Sequence, residues 1–427
     1  PYSRQGLGAV ATAKFFARHG YVAAVQDVRG RYDSEGEWYP FALEAEDGFD
    51  TVEWLGTREW CDGKVGTIGL SYSGSDQHAL ATLAPPHLAA MFASEAMSNY
   101  HTGSMRQGGA AELRFLVYAL WMAADSPQAL ADPALRAAVQ AESDNAEQWL
   151  RQAPLKPGVS ILRHFPSIER WVLDIVRHGD YDDYWKQRGY NVEEYYDEHA
   201  DVPICLLSGW YDSYSRSATE NFVELRRRKR CPVRLIVGPW IHGGDALGHS
   251  WSGDADFGID APLDYDGYRL RFFDAALKGL DTGFFDKPPV RIFVMGGGSG
   301  RKLPSGRLDH GGRWRDEQEW PLARAVPTTF HLRGDGSLSQ AAPPPDDAPR
   351  RFTYDPDDPV PTIGGLYCAV GEFPSEGTDI EPMWARLLNP ALRLRNIMTP
   401  GPADQKESAE FFTAREPYQR LSERADV

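Results

Sequence analysis

Short apolar segments alternate with amphipathic, helix-like segments along the first hundred residues of the chain. Residues 21–26, 64–70 and 88–94 are apolar runs of strand length, bounded by glycine or polar residues, and each predicts a buried strand. Residues 11–18 and 44–54 have the apolar spacing of helices. Strands and helices that alternate in this way are typical of βαβ units, so we predict an α/β fold built on a parallel sheet.

This alternation is interrupted in the middle of the chain. Residues 107–201 carry Ala-, Leu- and Trp-rich helical patterns, and apolar runs of strand length then return at 203–208 and 233–237. We interpret the middle segment as a helical cap inserted into a single α/β core. The predicted bounds are residues 1–97 and 202–287 for the two parts of the core and residues 98–201 for the cap.

The pattern of apolar and polar residues changes again after residue 287. Short β-like runs at 290–295, 328–332 and 351–354 alternate with clusters of Gly, Pro and Asp. Such a pattern is typical of a β-sandwich. We therefore predict that residues 288–427 form a separate all-β domain.

Charge and hydropathy exclude two classes of partner. The chain has 427 residues, with 45 Lys and Arg against 61 Asp and Glu, so its formal charge is 45 − 61 = −16. A phosphate backbone would be repelled, which argues against nucleic acid, and we interpret the basic run 226–230 as the solvated end of a helix. No apolar stretch of about 18 residues occurs, which argues against a membrane-spanning helix.

Cysteines and termini constrain the function less. The four cysteines are scattered and form no CxxC pair, so we expect free thiols, no zinc site and no cofactor. They are Cys61, Cys205, Cys231 and Cys368. Because the chain begins at Pro1 without Met and ends at Val427 in what reads as mid-sequence, we expect truncation at both ends. A cytoplasmic location is favoured, with secretion or the periplasm left open, and a homo-oligomer is left open too.

The sharpest motif of the chain is GLSYSG at residues 69–74, between a predicted strand and a predicted helix. In a nucleophile elbow, G-x-S-x-G, the serine adopts strained backbone angles and projects from the sheet edge. The fifth position of that pattern is Ser73 here, and Gly74 follows it. We predict that Ser71 is a nucleophile, the alternative being a purely structural strand-to-helix turn.

A nucleophilic serine needs a base, and the base needs an acid that orients it. In this fold the chain order is Ser, then Asp or Glu, then His, each after a strand. Asp212 follows one apolar run and His242 follows the next, so we predict them as acid and base. The alternatives are that Asp212 caps a helix, that His242 is an ordinary loop residue, or that His249 is the base.

These residues resemble a known family. The elbow is similar to the G-x-S-Y-x-G motif of the CocE/NonD hydrolases, which belong with the X-Pro dipeptidyl-peptidases and include esterases, acylases and α-amino acid ester hydrolases. Four further segments are similar: residues 26–36, 209–212, 238–243 and 271–279. The resemblance implies a triad of Ser71, Asp212 and His242. It also implies a hydrolase domain lacking its first strands, a helical cap, and a C-terminal jelly roll that is cut short.

The resemblance further implies an oxyanion hole. One donor would be the backbone N–H after the nucleophile, at Tyr72. The other would be a tyrosine hydroxyl from a Pro-Tyr segment, at Tyr2, unless Tyr2 is simply a frayed terminal residue. Two donors aimed at the developing oxyanion are worth about 3 kcal/mol each in acyl transfer.

The cap contains aromatic and acidic side chains that suggest a substrate pocket. Trp121, Trp171 and Trp185 are candidates to line an acyl pocket, and so are two nearby tyrosines, Tyr181 and Tyr184. Packing inside the helices is the alternative and the safer interpretation. The acids at 182–183 and 193–194 are candidates to bind a substrate ammonium, with a solvated helix face as the alternative.

The sequence thus favours a serine hydrolase that acts on a small-molecule ester or amide through an acyl-enzyme intermediate. An X-Pro-type dipeptidyl-peptidase or an α-amino acid ester hydrolase is the alternative within enzymes. An alternative of another class is a non-catalytic binding protein with a vestigial triad.

Overall fold

The computed structural model of the protein describes residues 1–145, 155–355, 364–366 and 401–403. In chain order its strands are Val65–Leu70 (β1), Leu88–Ser94 (β2), Arg106–Gln107 (β3), Ala110–Ala111 (β4), Ile204–Tyr211 (β5), Val233–Ile241 (β6), Trp251–Ser252 (β7), Ala255–Asp256 (β8), Val290–Met295 (β9), Leu308–Asp309 (β10), Gly312–Glu317 (β11), His331–Leu332 (β12) and Leu338–Ser339 (β13). Six of them form the central sheet, in the order β1-β2-β5-β6-β9-β11. The first five run parallel, and β11 is antiparallel to β9.

The described α-helices pack around this sheet and build the cap above it. They are Leu7–Arg18 (α1), Glu44–Gly56 (α2), Tyr72–Ala81 (α3), Tyr100–Gly103 (α4), Leu113–Ala124 (α5), Pro127–Ala131 (α6), Pro133–Asp144 (α7), Pro166–Arg177 (α8), Ser215–Arg228 (α9) and Tyr265–Ala276 (α10). Short 3-10 turns lie at Ile161–His164, Glu193–Tyr195 and Gly244–Gly248. Across the part of the chain that the structure describes, no helix is long and apolar enough to cross a bilayer.

The strand register brings four carboxyl ends together at one edge of the sheet. Leu70 at the end of β1 lies beside Ser94 at the end of β2, and Ser94 lies beside Leu207 in β5. β5 and β6 then run together as far as the pair Tyr211 and Ile241. The residues that follow these four strands are therefore neighbours, which is where ligands bind in open parallel sheets.

Two of the cap helices, α6 and α7, begin at a proline, and the residue before each proline has a side chain that caps the helix. Asp132 accepts hydrogen bonds from the backbone N–H groups of Ala134 and Leu135 at 3.0 and 3.1 Å, one residue before Pro133. Ser126 accepts from Ala129 N–H at 3.3 Å in the same way, at the start of α6. The backbone N–H at the first helical position has no acceptor within the helix, so a proline there costs no hydrogen bond. The capping residue and the proline therefore mark where each helix starts.

Most predicted elements of the core are confirmed. The α/β class is confirmed, and the helix predicted at 44–54 is α2, while the four apolar runs at 64–70, 88–94, 203–208 and 233–237 are β1, β2, β5 and β6. The region predicted as a helical cap contains α4 to α8 among its described residues. The exact domain bounds stay a prediction.

Three predicted strands need correction. Residues 21–26 form no strand and are largely exposed, because no neighbouring strand pairs with them. The run Val290–Met295, assigned from sequence to the β-sandwich, instead pairs with β6 in the central sheet. Residues 351–354 are exposed and carry no strand. Of the predicted jelly roll, residues 356–363, 367–400 and 404–427, including Cys368, lie outside the described residues.

Candidate functional site

Four side chains with reactive or ionisable groups follow four adjacent parallel strands. Ser71 follows β1, Glu95 follows β2, Asp212 follows β5 and His242 follows β6. Because the register places these strand ends side by side, the four residues converge on one point above the sheet edge. Three of them were predicted from the sequence, and Glu95 was not.

Ser71 occupies a strained turn between β1 and α3. Its φ and ψ are 64° and −121°, a conformation that costs a non-glycine residue on the order of 1–3 kcal/mol. Its backbone N–H donates to the Ser94 carbonyl at 3.0 Å, which fixes the turn to β2. A Cβ at Gly69 would overlap the Ser73 carbonyl, and one at Gly74 would overlap the Ser94 carbonyl. Glycine is therefore required on both sides of Ser71 for α3 to come this close to the sheet.

His242 joins Ser71 to Asp212. Its Nε2 lies 2.8 Å from Ser71 Oγ, and its Nδ1 lies 2.8 Å from Asp212 Oδ1. A carboxylate beside Nδ1 can only accept, so the proton resides on Nδ1 and leaves the Nε2 lone pair facing the serine hydroxyl. The His242 and Asp212 side chains are 5% and 0% exposed, so little water competes for these bonds.

Asp212 is held by its own strand. Its Oδ2 accepts the Ser208 hydroxyl at 2.6 Å, which leaves Oδ1 for the histidine. The close spacing of β5 and β6 below it depends on Gly209, where a Cβ would overlap the Trp240 carbonyl. A buried carboxylate keeps its charge only when it is hydrogen-bonded, and the serine and imidazole supply those bonds.

Glu95 is a second carboxylate at the same histidine. Its side chain is fully buried, and its Oε2 lies 3.1 Å from His242 Nδ1. The same oxygen accepts the backbone N–H of Gly243 at 2.8 Å. The sequence held one signal for it: a carboxylate directly after the apolar run 88–94, in the position that Ser71, Asp212 and His242 occupy after their strands.

Glu95, Asp212 and His242 are also the metal-compatible group found among the described residues, with ligand atoms within 4.8 Å of one another. Two carboxylates and one imidazole are a suitable donor set for a divalent cation. Here, however, both carboxylates are engaged with His242 Nδ1. The hydrogen bonds of this cluster account for its geometry.

Tyr72, the predicted backbone oxyanion donor, is the first residue of α3. The N–H groups of a helix's first turn have no intrahelical acceptor and point out of the helix end. The Tyr72 side chain fixes this residue: its hydroxyl accepts from Phe41 N–H at 2.8 Å and donates to Glu44 Oε1 at 2.6 Å. Burial, followed by the charge of Glu44, raises the pKa of the Tyr72 hydroxyl well above its usual value.

Tyr2, the predicted second donor, packs against the cap. Its ring stacks on Trp121 with centroids 5.6 Å apart and planes inclined by 26°. The preceding carbonyl, of Pro1, accepts from Arg31 Nε at 3.0 Å, and the same guanidinium donates to the Met122 carbonyl at 2.8 Å. Tyr2 is therefore tied to α5 and is not a frayed end. Its role as an oxyanion donor stays a prediction.

The competing histidine has other contacts. The His249 ring stacks on Trp251, with centroids 4.6 Å apart and planes 9° from parallel. Burial lowers its pKa from the usual value. His249 follows the 3-10 turn Gly244–Gly248 and packs on the first residue of β7, whereas His242 makes the hydrogen bond to Ser71.

The three candidate pocket tryptophans differ in burial. Trp171 and Trp185 are 0% exposed, and Trp185 donates its indole N–H to the His178 carbonyl at 2.8 Å. Both belong to the apolar core of the molecule, which favours the packing alternative for them. Trp121 is half-buried and stacks on Tyr2, so it is the one of the three that contacts a residue predicted for the site.

The acids considered for a substrate ammonium already have partners in the protein. Asp182 lies 2.6 Å from His178 Nδ1, and Glu194 accepts the Tyr181 hydroxyl at 2.8 Å. Glu193 accepts the Ser98 hydroxyl at 3.0 Å, and burial raises its pKa from the usual value. These hydrogen bonds are made within the cap itself. They do not by themselves define a subsite for a substrate ammonium group.

Family comparisons agree with the motifs. The family model described as X-Pro dipeptidyl-peptidase (S15 family) matches residues 1–244. A second model, described as the X-Pro dipeptidyl-peptidase C-terminal non-catalytic domain, matches residues 282–411. The two matches together span the α/β core, the cap and the C-terminal segment.

Similar proteins include esterases and peptidases. A cocaine esterase from Rhodococcus sp. (strain MB1 Bresler) is 31% identical over 373 residues, which are 82% of this chain and 60% of the esterase. Two solved structures share the fold at 21% identity: an aminopeptidase from a marine sediment Thaumarchaeota archaeon and a CocE/NonD family hydrolase from Staphylococcus aureus. Their TM-scores are 0.58 and 0.51, over 77% and 73% of this chain and 53% and 45% of those chains.

The chain thus spans 60% or less of the length of these three proteins. Since one family model covers more than half of the chain, the match does not depend on a single motif. The chain belongs to the X-Pro dipeptidyl-peptidase S15 family, among the CocE/NonD hydrolases that its elbow resembles.

Proposed function

We propose that this protein is a serine hydrolase that cleaves ester or amide bonds through an acyl-enzyme intermediate. Ser71 is the nucleophile, His242 the general base and acid, and Asp212 the acid that orients the imidazole. The observation that carries the proposal is the pair of 2.8 Å contacts from His242, one to Ser71 Oγ and one to Asp212 Oδ1. This is the arrangement by which a weak hydroxyl nucleophile is activated.

The reaction follows from where the protons go. Ser71 Oγ attacks the acyl carbon while its proton passes to His242 Nε2, and the carbonyl electrons move onto the oxygen. Tyr72 N–H and the Tyr2 hydroxyl stabilise that oxyanion. The imidazolium gives its proton to the leaving alcohol or amine, which departs from the acyl-enzyme. Water then attacks the acyl carbon while one of its protons passes to His242 Nε2, and that proton goes to Ser71 Oγ as the carboxylic acid product leaves.

The leading substrate class is a small ester or an acyl amide. It is supported by the likeness to a cocaine esterase over 82% of this chain. An X-Pro-type dipeptidyl-peptidase is the second candidate, supported by the family model that matches residues 1–244. A peptidase of that type needs an anionic site for a free amine, and the cap acids described above are bonded within the protein.

Substrate profiling separates these candidates. We expect wild-type protein to hydrolyse p-nitrophenyl acyl esters and to turn over X-Pro-p-nitroanilides more slowly. The Ser71→Ala variant should lose about 10⁶-fold in kcat, as other triads do without their nucleophile. Ser73→Ala, two residues away in the same turn, is the matched control and should stay active. Equal ester hydrolysis by Ser71→Ala and wild type would refute the proposed function.

A further inference from the structure

The imidazole of His242 has two carboxylate acceptors at one nitrogen. Nδ1 is hydrogen-bonded to Asp212 Oδ1 at 2.8 Å and lies within ion-pair distance of Glu95 Oε2, at 3.1 Å. Both carboxylates are fully buried. A triad histidine needs only one such partner. The second carboxylate is therefore unexplained by the reaction as described above.

Glu95 also fixes the main chain that carries the histidine. The oxygen that faces Nδ1 accepts the N–H of Gly243, so one atom positions both the ring and the next peptide. Glu95 itself has a φ of 50°, in the left-handed region that non-glycine residues rarely adopt. Its N–H is held by the Leu207 carbonyl at 2.7 Å. The strained backbone and its bond to β5 together hold the carboxylate at the imidazole.

The charges at this point favour the protonated imidazole. Two buried carboxylates beside a neutral ring repel each other, and burial adds to that cost. When the proton of Ser71 reaches Nε2, the ring becomes positive and both carboxylates attract it. Nδ1 keeps its own proton throughout the reaction. The second carboxylate thus stabilises the charge that develops in the transition state more than it stabilises the resting state.

We propose that Glu95 is a second acid of this site, a positioning residue that shares His242 with Asp212 and can hold the imidazole when Asp212 is neutralised. This inference rests on the proposed function, because it assigns Glu95 a role in the same proton transfer. Glu95 would act through His242, and no contact with substrate is required of it.

The Asp212→Asn variant gives the first test, by steady-state ester hydrolysis. In a triad with a single carboxylate this change costs about 10⁴-fold, because the imidazole takes the wrong tautomer. Here Glu95 Oε2, 3.1 Å from Nδ1, can accept its proton in place of Asp212, so we expect a loss of about 10²-fold in kcat/KM, smaller than in the single-acid case. A loss of about 10⁴-fold in Asp212→Asn alone would overturn the proposal.

The Glu95 variants give the second test. Glu95→Gln alone should lower kcat/KM about 10-fold, and with Asp212→Asn the loss should reach about 10⁴-fold, more than the product of the single losses. Glu95→Asp should recover part of the loss because it keeps the charge. The matched control is Glu53→Gln, which removes the carboxylate 2.8 Å from His87 Nδ1, a carboxylate–histidine pair outside the site. The control should leave kcat/KM unchanged.

The pH profile separates a charge effect from a packing effect. The groups that face the His242 ring are Asp212, Glu95, Ser71 and the ring of Tyr214, whose centroid is 5.5 Å away. Removing one negative charge makes imidazole protonation harder, so the acid limb of kcat/KM should move to lower pH in Glu95→Gln. An unmoved limb together with simple additivity of the two losses would overturn the proposal.

The failure of this inference can be told apart from failure of the proposed function. If Ser71→Ala hydrolyses esters as wild type does, the proposed function itself is refuted. If Ser71→Ala is inactive, but Glu95→Gln changes kcat/KM neither in the wild-type protein nor in the Asp212→Asn variant, only the role of Glu95 is refuted. If Glu95→Gln does not fold, the loss measured for Asp212→Asn still decides between the two cases.

Discussion

Two buried histidine sites in this protein show how the partner of an imidazole sets its chemistry. His242 faces two carboxylates and a serine hydroxyl at the sheet edge. His78 on α3 is also buried, but its Nδ1 faces Nε2 of another histidine, His199, at 3.3 Å. His199 Nδ1 in turn lies 3.1 Å from the Ala200 carbonyl and donates to it.

The two sites therefore respond to protons in opposite ways. In the His78–His199 pair, His199 Nε2 accepts from His78 Nδ1, and His78 Nε2 lies 3.5 Å from the amide nitrogen of Asn221, so an added proton would have no acceptor. Burial and then the neighbouring histidine lower the pKa of His78 well below its usual value, and burial lowers the pKa of His199 to about 4. The carboxylates around His242 instead stabilise a positive ring. We conclude that the pair is built to stay neutral and that His242 is built to accept a proton.

The largest expected effect on activity comes from removing His242, and the matched removal of His199 should have almost none. His242→Ala should lower kcat/KM about 10⁶-fold, because the base of the proposed mechanism is lost. His199→Leu, which alters the buried pair, should leave kcat/KM within about twofold of wild type in the folded protein. Ester hydrolysis by both variants checks this contrast, and a large loss in His199→Leu would break the comparison.

A smaller effect on the rate is expected from removing a hydrogen-bond donor to the oxyanion of the same reaction. Tyr2→Phe removes the proposed hydroxyl donor to the oxyanion and keeps the ring that stacks on Trp121. We expect kcat to fall about 10²–10³-fold with KM little changed, since the donor acts mainly on the transition state. Steady-state kinetics on an activated ester measure both constants. Wild-type kcat in Tyr2→Phe would exclude this donor.

The buried pair should matter for stability instead. His199→Leu leaves the Nδ1–H of His78 without its acceptor in a fully buried position. A buried donor that loses its partner costs about 1–3 kcal/mol in the free energy of unfolding. Urea denaturation followed by circular dichroism measures this cost. The exposed His19→Leu should change the unfolding free energy by about 0.5 kcal/mol or less and serves as control.

The pH dependence of stability is the finest test of the comparison. Because the pKa of His199 is about 4 in the folded protein and near 6.5 when unfolded, the unfolded chain binds protons first as the pH falls. Stability is complete above about pH 6.5 and decreases towards pH 4, by about 3 kcal/mol for this group. Buried acids such as Glu44 and Asp125 have raised pKa values and act in the opposite direction.

The contribution of the buried acids, which is common to wild type and variant, is therefore eliminated by taking the difference between the two proteins. The pH dependence of unfolding in wild type minus that in His199→Leu isolates the contribution of His199. We expect the wild type to lose more stability than the variant between pH 6.5 and pH 4. Identical slopes in the two proteins would mean that His199 is not a source of acid sensitivity.

The positions of the strands could be predicted from the sequence better than the pairing between strands. The apolar runs before Asp212 and His242 are strands buried on both faces, a property visible in composition, and the run before Ser71 is a strand that is half-buried. The run at 21–26 is equally apolar, yet a strand also needs a partner, and partners are set by tertiary contacts. The same limit explains β9, whose pairing with β6 no local pattern could indicate.

Glu95 was missed for a related reason. The elbow has a sequence pattern because glycines at 69 and 74 are required by close backbone approach. The role of Glu95 depends on a distance to a residue 147 positions later and on a left-handed backbone angle, neither of which has a sequence signature. Its position directly after a predicted strand was the available clue.

The most direct test of this account is the rate and site of modification by a fluorophosphonate, followed by mass spectrometry. The account predicts a single adduct on Ser71, formed at equal rates in wild type and in His199→Leu, and slowed by orders of magnitude in His242→Ala. An adduct on another serine, or an undiminished rate in His242→Ala, would contradict the claim that the histidine between the carboxylates activates Ser71.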